Sequence, residues 1–556
     1  MLNRAQVVVQ VVAVTIMAAA LAAAPAVLAG KKTVCTITVN SSDEKESFQR
    51  NLPRDGYEFV ELVEHGRPDW LASACTRQVS CDILVISGHY DGGKEFFPDS
   101  LDKSEFLPVD EMERVACSDS CPGLFSKLKE VYLFGCNTLN PEAQKSVASE
   151  VGRSLLRAGH SRSDVDRLTR AMSSRHGESS RDRMRLIFKD VPAIYGFSST
   201  APLGPTAGSI LDRHFRSSGV GEVGSGRAST RLLAQFAGKS MVVTSGMADA
   251  DPQSAHRRDV CQFADDRLSP SQKLDFLHAL MRREMGDVRM FIDRVEKLTV
   301  APDDPGDIPG FETALQAIAH DDVAKDRFLA LARDADQLAT RARMFDIARN
   351  IGWLSADEKQ AELARMIEER ANRDAIGAAE VDLVCELNRE HRLDGLAEKV
   401  RWRPEQSDLA GPAAVQACLG DEDAHRRVLR ALTSGEERDM QVAQVYLRHR
   451  PVGDVEELRE LTAGIARMGT PSGQVRALDA LASLRLADPE SLEALARLFP
   501  LAESESVQTA IAGVFIRSDY KAIDRLELAQ TLRQHRIGPR AGENLIDVLI
   551  RRLQSN

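Results

Sequence analysis

Near residue 265 the hydrophobic periodicity of this chain changes, and that change constrains the fold more than any other feature. Before it, short apolar runs alternate with amphipathic ones. "KKTVCTITVN", "CDILVISG", "KEVYLFG" and "VPAIYGFSS" read as strands, and "YEFVELV" as a strand or a short helix. "NPEAQKSVASEVGRSLLRAGH" opens on an asparagine and a proline that suit a helix start. Between Tyr90 and about Lys127 lies a stretch rich in Gly, Asp, Phe and Pro that reads as a loop. After residue 265, segments such as "DVAKDRFLALARDADQLATRARMFDIARNIGWL" carry apolar residues at three-to-four spacing, with almost no strand signal. The expected architecture is therefore an α/β sandwich on a mostly parallel sheet over residues 31–255. An all-helical domain over 265–556 follows it, either an irregular α-solenoid or a globular bundle.

The first 29 residues, "MLNRAQVVVQVVAVTIMAAALAAAPAVLA", have one arginine, a long Val/Ala-rich run and small residues at Val27 and Ala29. This is the pattern of a signal peptide cleaved at Ala29-Gly30, and it implies a periplasmic or secreted protein. The run is also long enough to anchor the chain in a membrane if it is retained. Lys31 stands near where a lipidated cysteine would be needed, which disfavours a lipoprotein. The net charge of -11, with both signs mixed along the chain, gives no reason to expect nucleic acid.

Export changes the reading of the nine cysteines, because an oxidising compartment permits disulfides. "CTRQVSC" (Cys75, Cys81) and "CSDSC" (Cys117, Cys121) are the expected bridging pairs, with Cys35 a further participant. An odd number leaves at least one thiol unpaired within the chain. Two cysteines in "CSDSC" supply half a tetrahedral zinc set and have no second pair at a matching spacing, so no metal is expected.

Two of the apolar strands end on chemistry-bearing residues. "ILVISGHYDGG" stops at His89 after Gly88, and "VYLFGCNT" stops at Cys136 after Gly135. In a parallel sheet functional residues collect beyond the strands' carboxyl ends. If these strands are neighbours, imidazole and thiol face one another, and a thiolate activated by the histidine can attack a carbonyl. Taken singly, each residue has an ordinary structural explanation: a buried small hydrophobe for the cysteine, a turn residue for the histidine.

At these residues the sequence resembles the caspase-like superfamily of cysteine endopeptidases, over roughly residues 31–239. The resemblance implies His89 as base and Cys136 as nucleophile, with the amides of Gly88 and Cys136 as the oxyanion hole. It also places Ser198, Ser199 and Thr200 of "YGFSSTAPLGPTAG" against substrate backbone. Tyr90 stands where the family has a glycine, and it would narrow or cover the cleft. The family's side-chain pockets have no counterpart here; Asp91, Asp99 and Asp110 in the intervening loop read as ordinary solvent-facing acids, with selection of a basic substrate residue as their functional alternative. The helical half resembles HEAT-type repeats and offers a long surface for a protein partner.

The expected function is an exported cysteine endopeptidase acting on a protein or peptide through an acyl-enzyme, with no cofactor. Its rival is a catalytically inactive caspase-like scaffold or binding protein whose helical domain engages a protein partner. Thiol–disulfide exchange is a weaker third reading, because neither close pair is C-x-x-C. Gly219, Gly221 and Gly224 fit the spacing of a dinucleotide loop but follow a helical segment, so they read as a plain loop. The arginine-rich stretch from Ser161 to Arg185, with His160 and His176, reads as a solvated face, with a possible processing site as its functional alternative.

Overall fold

The computed structural model describes residues 30–554, apart from 64–69, 91, 100–105, 119–120, 122, 144–145, 218, 303–305, 390–392, 394, 407, 521–522 and 539–543. The leader and Asp91 therefore lie outside the described residues. Among those described, no helix is long and apolar enough to cross a membrane. The chain packs as two compact units. The first holds the described residues of Met1–Gly152, Ser161–Leu280 and Asp304–Phe311, and the second those of Arg153–His160, Met281–Asp303 and Glu312–Asn556.

The first unit is built on a six-stranded sheet. Its strands are β1 (Lys32–Thr38), β2 (Tyr57–Glu61), β3 (Ile83–Ser87), β7 (Glu130–Phe134), β8 (Ala193–Phe197) and β9 (Met241–Thr244), in the order β2-β1-β3-β7-β8-β9. All pairings are parallel except that of β8 with the edge strand β9. "ILVIS", "EVYLF" and "AIYGF" are buried at every position, which is why they read as unbroken apolar runs: interior parallel strands are covered on both faces. On one face helix α1 (Asp43–Asn51) and helix α7 (Gly204–Arg216) pack together, with Phe48, Leu211 and Phe215 meeting Val34, Val85, Tyr132 and Tyr195 of the strands. Tyr132 stacks on Tyr195 at 4.8 Å between ring centroids, and Phe48 meets Tyr132 edge-on. The alternate residues Cys35, Leu84, Ile86, Val131, Leu133 and Ile194 are equally buried and face the other side.

Between β3 and β7 the segment read as a loop contains regular elements among its described residues. It holds a small antiparallel sheet of β4 (His89–Tyr90), β5 (Glu95–Phe97) and β6 (Leu107–Pro108), and then helix α3 (Val109–Cys117). Strands of two and three residues carry no readable alternation, so sequence periodicity misses them. The arginine-rich stretch is also more ordered than expected. It forms helices Arg162–His176 and Ser180–Ile187, each opened by a serine cap, Ser161 and Ser179. That leaves little exposed loop for proteolytic processing.

The first unit also reaches farther than expected. Helices Ser254–Ala264 and Pro270–Met281 fall mainly within it, joined by an edge-to-face contact of Phe263 with Phe276 at 5.2 Å. A Cys117–Cys261 disulfide ties the former to α3. The other bridges here are Cys35–Cys81 and Cys75–Cys121, so neither short-range pair forms. Sheet topology decides this: Cys35 lies on β1, beside the start of β3 that Cys81 precedes.

In the second unit every regular element among the described residues is helical. Helix starts are fixed by side-chain caps at Asp321, Ser355, Asp421, Asp454, Asp488 and Asp524. Ser355 and Glu358 form a full capping box. Trp353, 2% exposed, donates its indole N–H to Ile318 O at 3.1 Å. Gln508, fully buried, donates to Phe499 O and His535 O and accepts from the Ile537 amide, joining three elements at once. A Cys385–Cys418 bridge links helices Ala378–Arg389 and Ala410–Cys418.

Candidate functional site

β3 and β7 are adjacent and parallel, with Ser87 the register partner of Phe134. The chain therefore leaves both strands at the same level, through Gly88-His89 on one and Gly135-Cys136 on the other. The glycine at 135 is required by close approach. A Cβ there would stand 2.9 Å from Gly88 O and 3.0 Å from the Tyr90 Cβ. Beyond Cys136 the backbone turns through Asn137 at φ 59°, whose N–H donates to Ser199 O at 2.7 Å. Thr138 completes the turn, donating to Gly135 O and accepting the Phe197 N–H. Sheet order and turn together bring His89 and Cys136 to the wall of one small cleft of about 50 Å³.

The groups in that cleft are committed elsewhere. His89 Nε2 hydrogen-bonds the Asp99 carboxylate and lies 3.4 Å from Asn40 Nδ2. Asn40 and Asp99 clasp each other through two further bonds of 3.0 Å. Hydrogen bonds from Asn40 and His89 hold the Asp99 carboxyl below its ordinary range. The Cys136 Sγ accepts the Ala201 N–H at 3.3 Å. Among the described residues no hydrogen bond joins His89 to Cys136. The Gly88 amide, expected in the oxyanion hole, donates instead to Phe134 O at 3.1 Å, as part of the sheet.

These observations overturn the expectation of a cysteine endopeptidase. Eight of the nine cysteines are consumed by the four disulfides, and the remaining thiol, Cys136, has no base bonded to it. One of its two expected oxyanion donors is used up by a strand carbonyl. Thiol-protease chemistry is withdrawn with it, while the expectation of disulfide bonding holds.

The other expected site residues are dispersed. Tyr90 does not cover the cleft: it is 4% exposed and packs on Phe96 at 4.8 Å, below the strand ends. The residues offered for substrate backbone are tied to structure, since Ser198 N–H donates to Ser240 O, Ser199 O accepts from Asn137, and Thr200 O accepts from the Ser240 hydroxyl. The cleft wall begins just after them, at Ala201, Pro202 and Leu203. Asp110 lies in the first turn of α3 rather than in the cleft.

Sequence reading missed Asn40 and Glu44, which reach the cleft from the segment after β1. Glu44 is 3% exposed, yet its Oε2 has no hydrogen-bond partner. Burial pushes its carboxyl up to about 7, against lowering hydrogen bonds from its own backbone, Ser87 and Ser41. Its only sequence signal was a helix start at "SSDE", where acids are ordinary.

The glycine-rich loop has a structural role. Gly224 and Gly226 adopt φ of 70° and 71°, and their amides donate to the carboxylate of Glu130, which is fully buried. A carboxylate from β7 thus takes the place that a phosphate would hold in a dinucleotide fold. Cys117 and Cys121, the half zinc set, go to separate disulfide partners, and no cluster of three metal-ligating side chains occurs among the described residues.

Comparison with protein-family models, with curated proteins and with solved structures found no match in any of the three.

Proposed function

We propose that this chain is a caspase-like scaffold or binding protein without peptidase activity, whose α-solenoid-like helical unit engages a protein partner. The caspase-like part rests on adjacent parallel strands ending on His89 and Cys136. One observation carries the loss of activity: His89 Nε2 is held by Asp99 while the Cys136 thiol receives only a backbone N–H. A general base must reach the proton that it removes; Nε2 is engaged by Asp99, and among the described residues neither ring nitrogen is hydrogen-bonded to the thiol. The helical unit supports the binding role by its run of capped helices, a form that offers extended surface to a partner.

Two measurements test the reading. Purified mature protein, before and after limited proteolysis, is incubated with an unbiased peptide library beside Cys136→Ala. No cleavage that depends on Cys136 is expected, and its appearance would restore the peptidase. Cross-linking of the full chain in its native extract should join a partner protein through helical-unit lysines such as Lys325 and Lys399. Cross-links confined to Lys45 and Lys239 of the first unit would refute the role assigned to the helices.

A further inference from the structure

The strand-end cleft contains one acidic group with a buried oxygen that the fold leaves unpaired. Glu44 is 3% exposed and lines the cleft, and its Oε2 has no hydrogen-bond partner. The carboxyl is bonded by its own backbone, Ser87 and Ser41, yet one buried oxygen is left unpaired, which is costly unless something else completes it. No lysine or arginine lines the cleft to serve as counter-ion. Its other titratable groups are His89, bonded to Asp99, and the Cys136 thiol, bonded by Ala201 N–H. Asp43, beside Glu44 on α1, bonds the Ser41 hydroxyl and adds negative potential. The wall opposite is apolar, with Pro202 and with Leu203 70% exposed.

We propose that this cleft binds the ammonium group of a lysine side chain on a partner polypeptide, with Glu44 as its counter-ion and Leu203 packing along its methylene stem. The chemistry is that of an amphipathic side chain whose stem prefers apolar surface and whose head needs an anion. The small volume suits a compact ammonium better than a planar guanidinium. Because Glu44 in the empty cleft is held up to about 7, a cation that favours its ionised form displaces a proton. Binding therefore strengthens as pH rises from 6 to 8. Bond formation at Cys136 plays no part. The inference stands apart from the helical unit's role, and its failure leaves that role untouched.

The test uses the mature protein and three capped tripeptides, acetyl-Ala-Lys-Ala-amide and its norleucine and arginine counterparts, by titration calorimetry at pH 6 and pH 8 in two buffers. The lysine peptide is expected to bind saturably, with a Kd on the order of 1 mM or tighter. It should tighten severalfold at pH 8 and release a proton, and the norleucine and arginine peptides should bind at least about tenfold more weakly, a difference of 1.4 kcal/mol. Glu44→Gln, which keeps the side chain's shape, should remove the preference for lysine while the protein still melts cooperatively. Equal binding of the norleucine or arginine peptide, an affinity independent of pH, or no saturable binding by wild type would each overturn the proposal. The wild-type comparisons decide it even if the variant fails to fold.

Discussion

The imidazole of His89 and the carboxylate of Asp99 are hydrogen-bonded through Nε2, and Asn40 clamps that carboxylate from the other side. The pair orients the imidazole through Nε2 and leaves Nδ1 as its other nitrogen. A ring nitrogen held by an acid ten residues along is oriented by the segment after β5, and the thiol across the cleft is left with the Ala201 amide. In this arrangement Cys136 is a free thiol that reacts independently of the histidine. Iodoacetamide on unreduced protein should label Cys136 alone, once per chain. His89→Ala should change that rate little, against the roughly 100-fold loss expected when a positioned base is removed. A loss of that size, read by mass mapping over time, would show that the two residues work together.

Glu44 makes stability depend on pH, with a sign that can be stated. Its carboxyl stands at about 7 in the folded protein, against an ordinary value of 4.5, with burial as the largest cause. The folded state therefore holds a proton that the unfolded state has given up between those values. The associated stability is fully present below pH 4.5 and is lost as pH rises through about 7. Glu44→Gln cannot ionise and should lack this fall, so it should gain on wild type by on the order of 3 kcal/mol by pH 8. Urea melts at pH 4.5, 6 and 8 provide the comparison, and parallel pH profiles for the two proteins would contradict it.

The disulfide from Cys117 to Cys261 spans 144 residues and closes the longest loop of the four. It ties helix α3 to a helix that follows the whole sheet, so its loss releases chain entropy in the unfolded state. Replacing both cysteines by alanine should cost about 2–4 kcal/mol in the first unit's unfolding. A non-reducing peptide map of the wild type should recover Cys35–Cys81, Cys75–Cys121 and Cys117–Cys261. Recovery of Cys75–Cys81 or Cys117–Cys121 would contradict the topology.

The sheet was legible because its interior strands are buried on both faces, and "ILVIS" and "EVYLF" therefore appear as apolar runs that no helix would need. The helical half was legible from its spacing. The site was only half legible. His89 and Cys136 announce themselves after glycines at strand ends, and the neighbouring of β3 and β7 places them on one cleft. Their partners were invisible, because Asp99 and Asn40 are joined to His89 by tertiary approach and not by any spacing. The disulfides failed for the same reason: proximity in sequence favoured Cys75–Cys81 and Cys117–Cys121, while proximity across the sheet and between helices decided the outcome. Tyr90 was misplaced because a two-residue strand turns its ring inward onto Phe96.

Glu130 supplies the sharpest test of the first unit's architecture. It is the first residue of the interior strand β7, fully buried, and accepts hydrogen bonds from the Tyr132 hydroxyl and from the amides of Gly224 and Gly226. The two glycines hold positive φ, so the loop is shaped to present its amides to this one carboxylate. Glu130→Ala leaves the buried Tyr132 hydroxyl and the half-buried glycine amides unanswered and opens a void, at a cost of roughly 2–5 kcal/mol. Glu130→Gln keeps the volume but offers one acceptor oxygen and an unwanted donor, so it should fall between the two. If the carboxylate is the anchor described, hydrogen exchange at Gly224 and Gly226 should accelerate in both variants more than exchange in β8. A loop whose exchange is unchanged in Glu130→Ala would mean that the glycine turn is held by its own backbone, and the assignment of Glu130 as its anchor would fall.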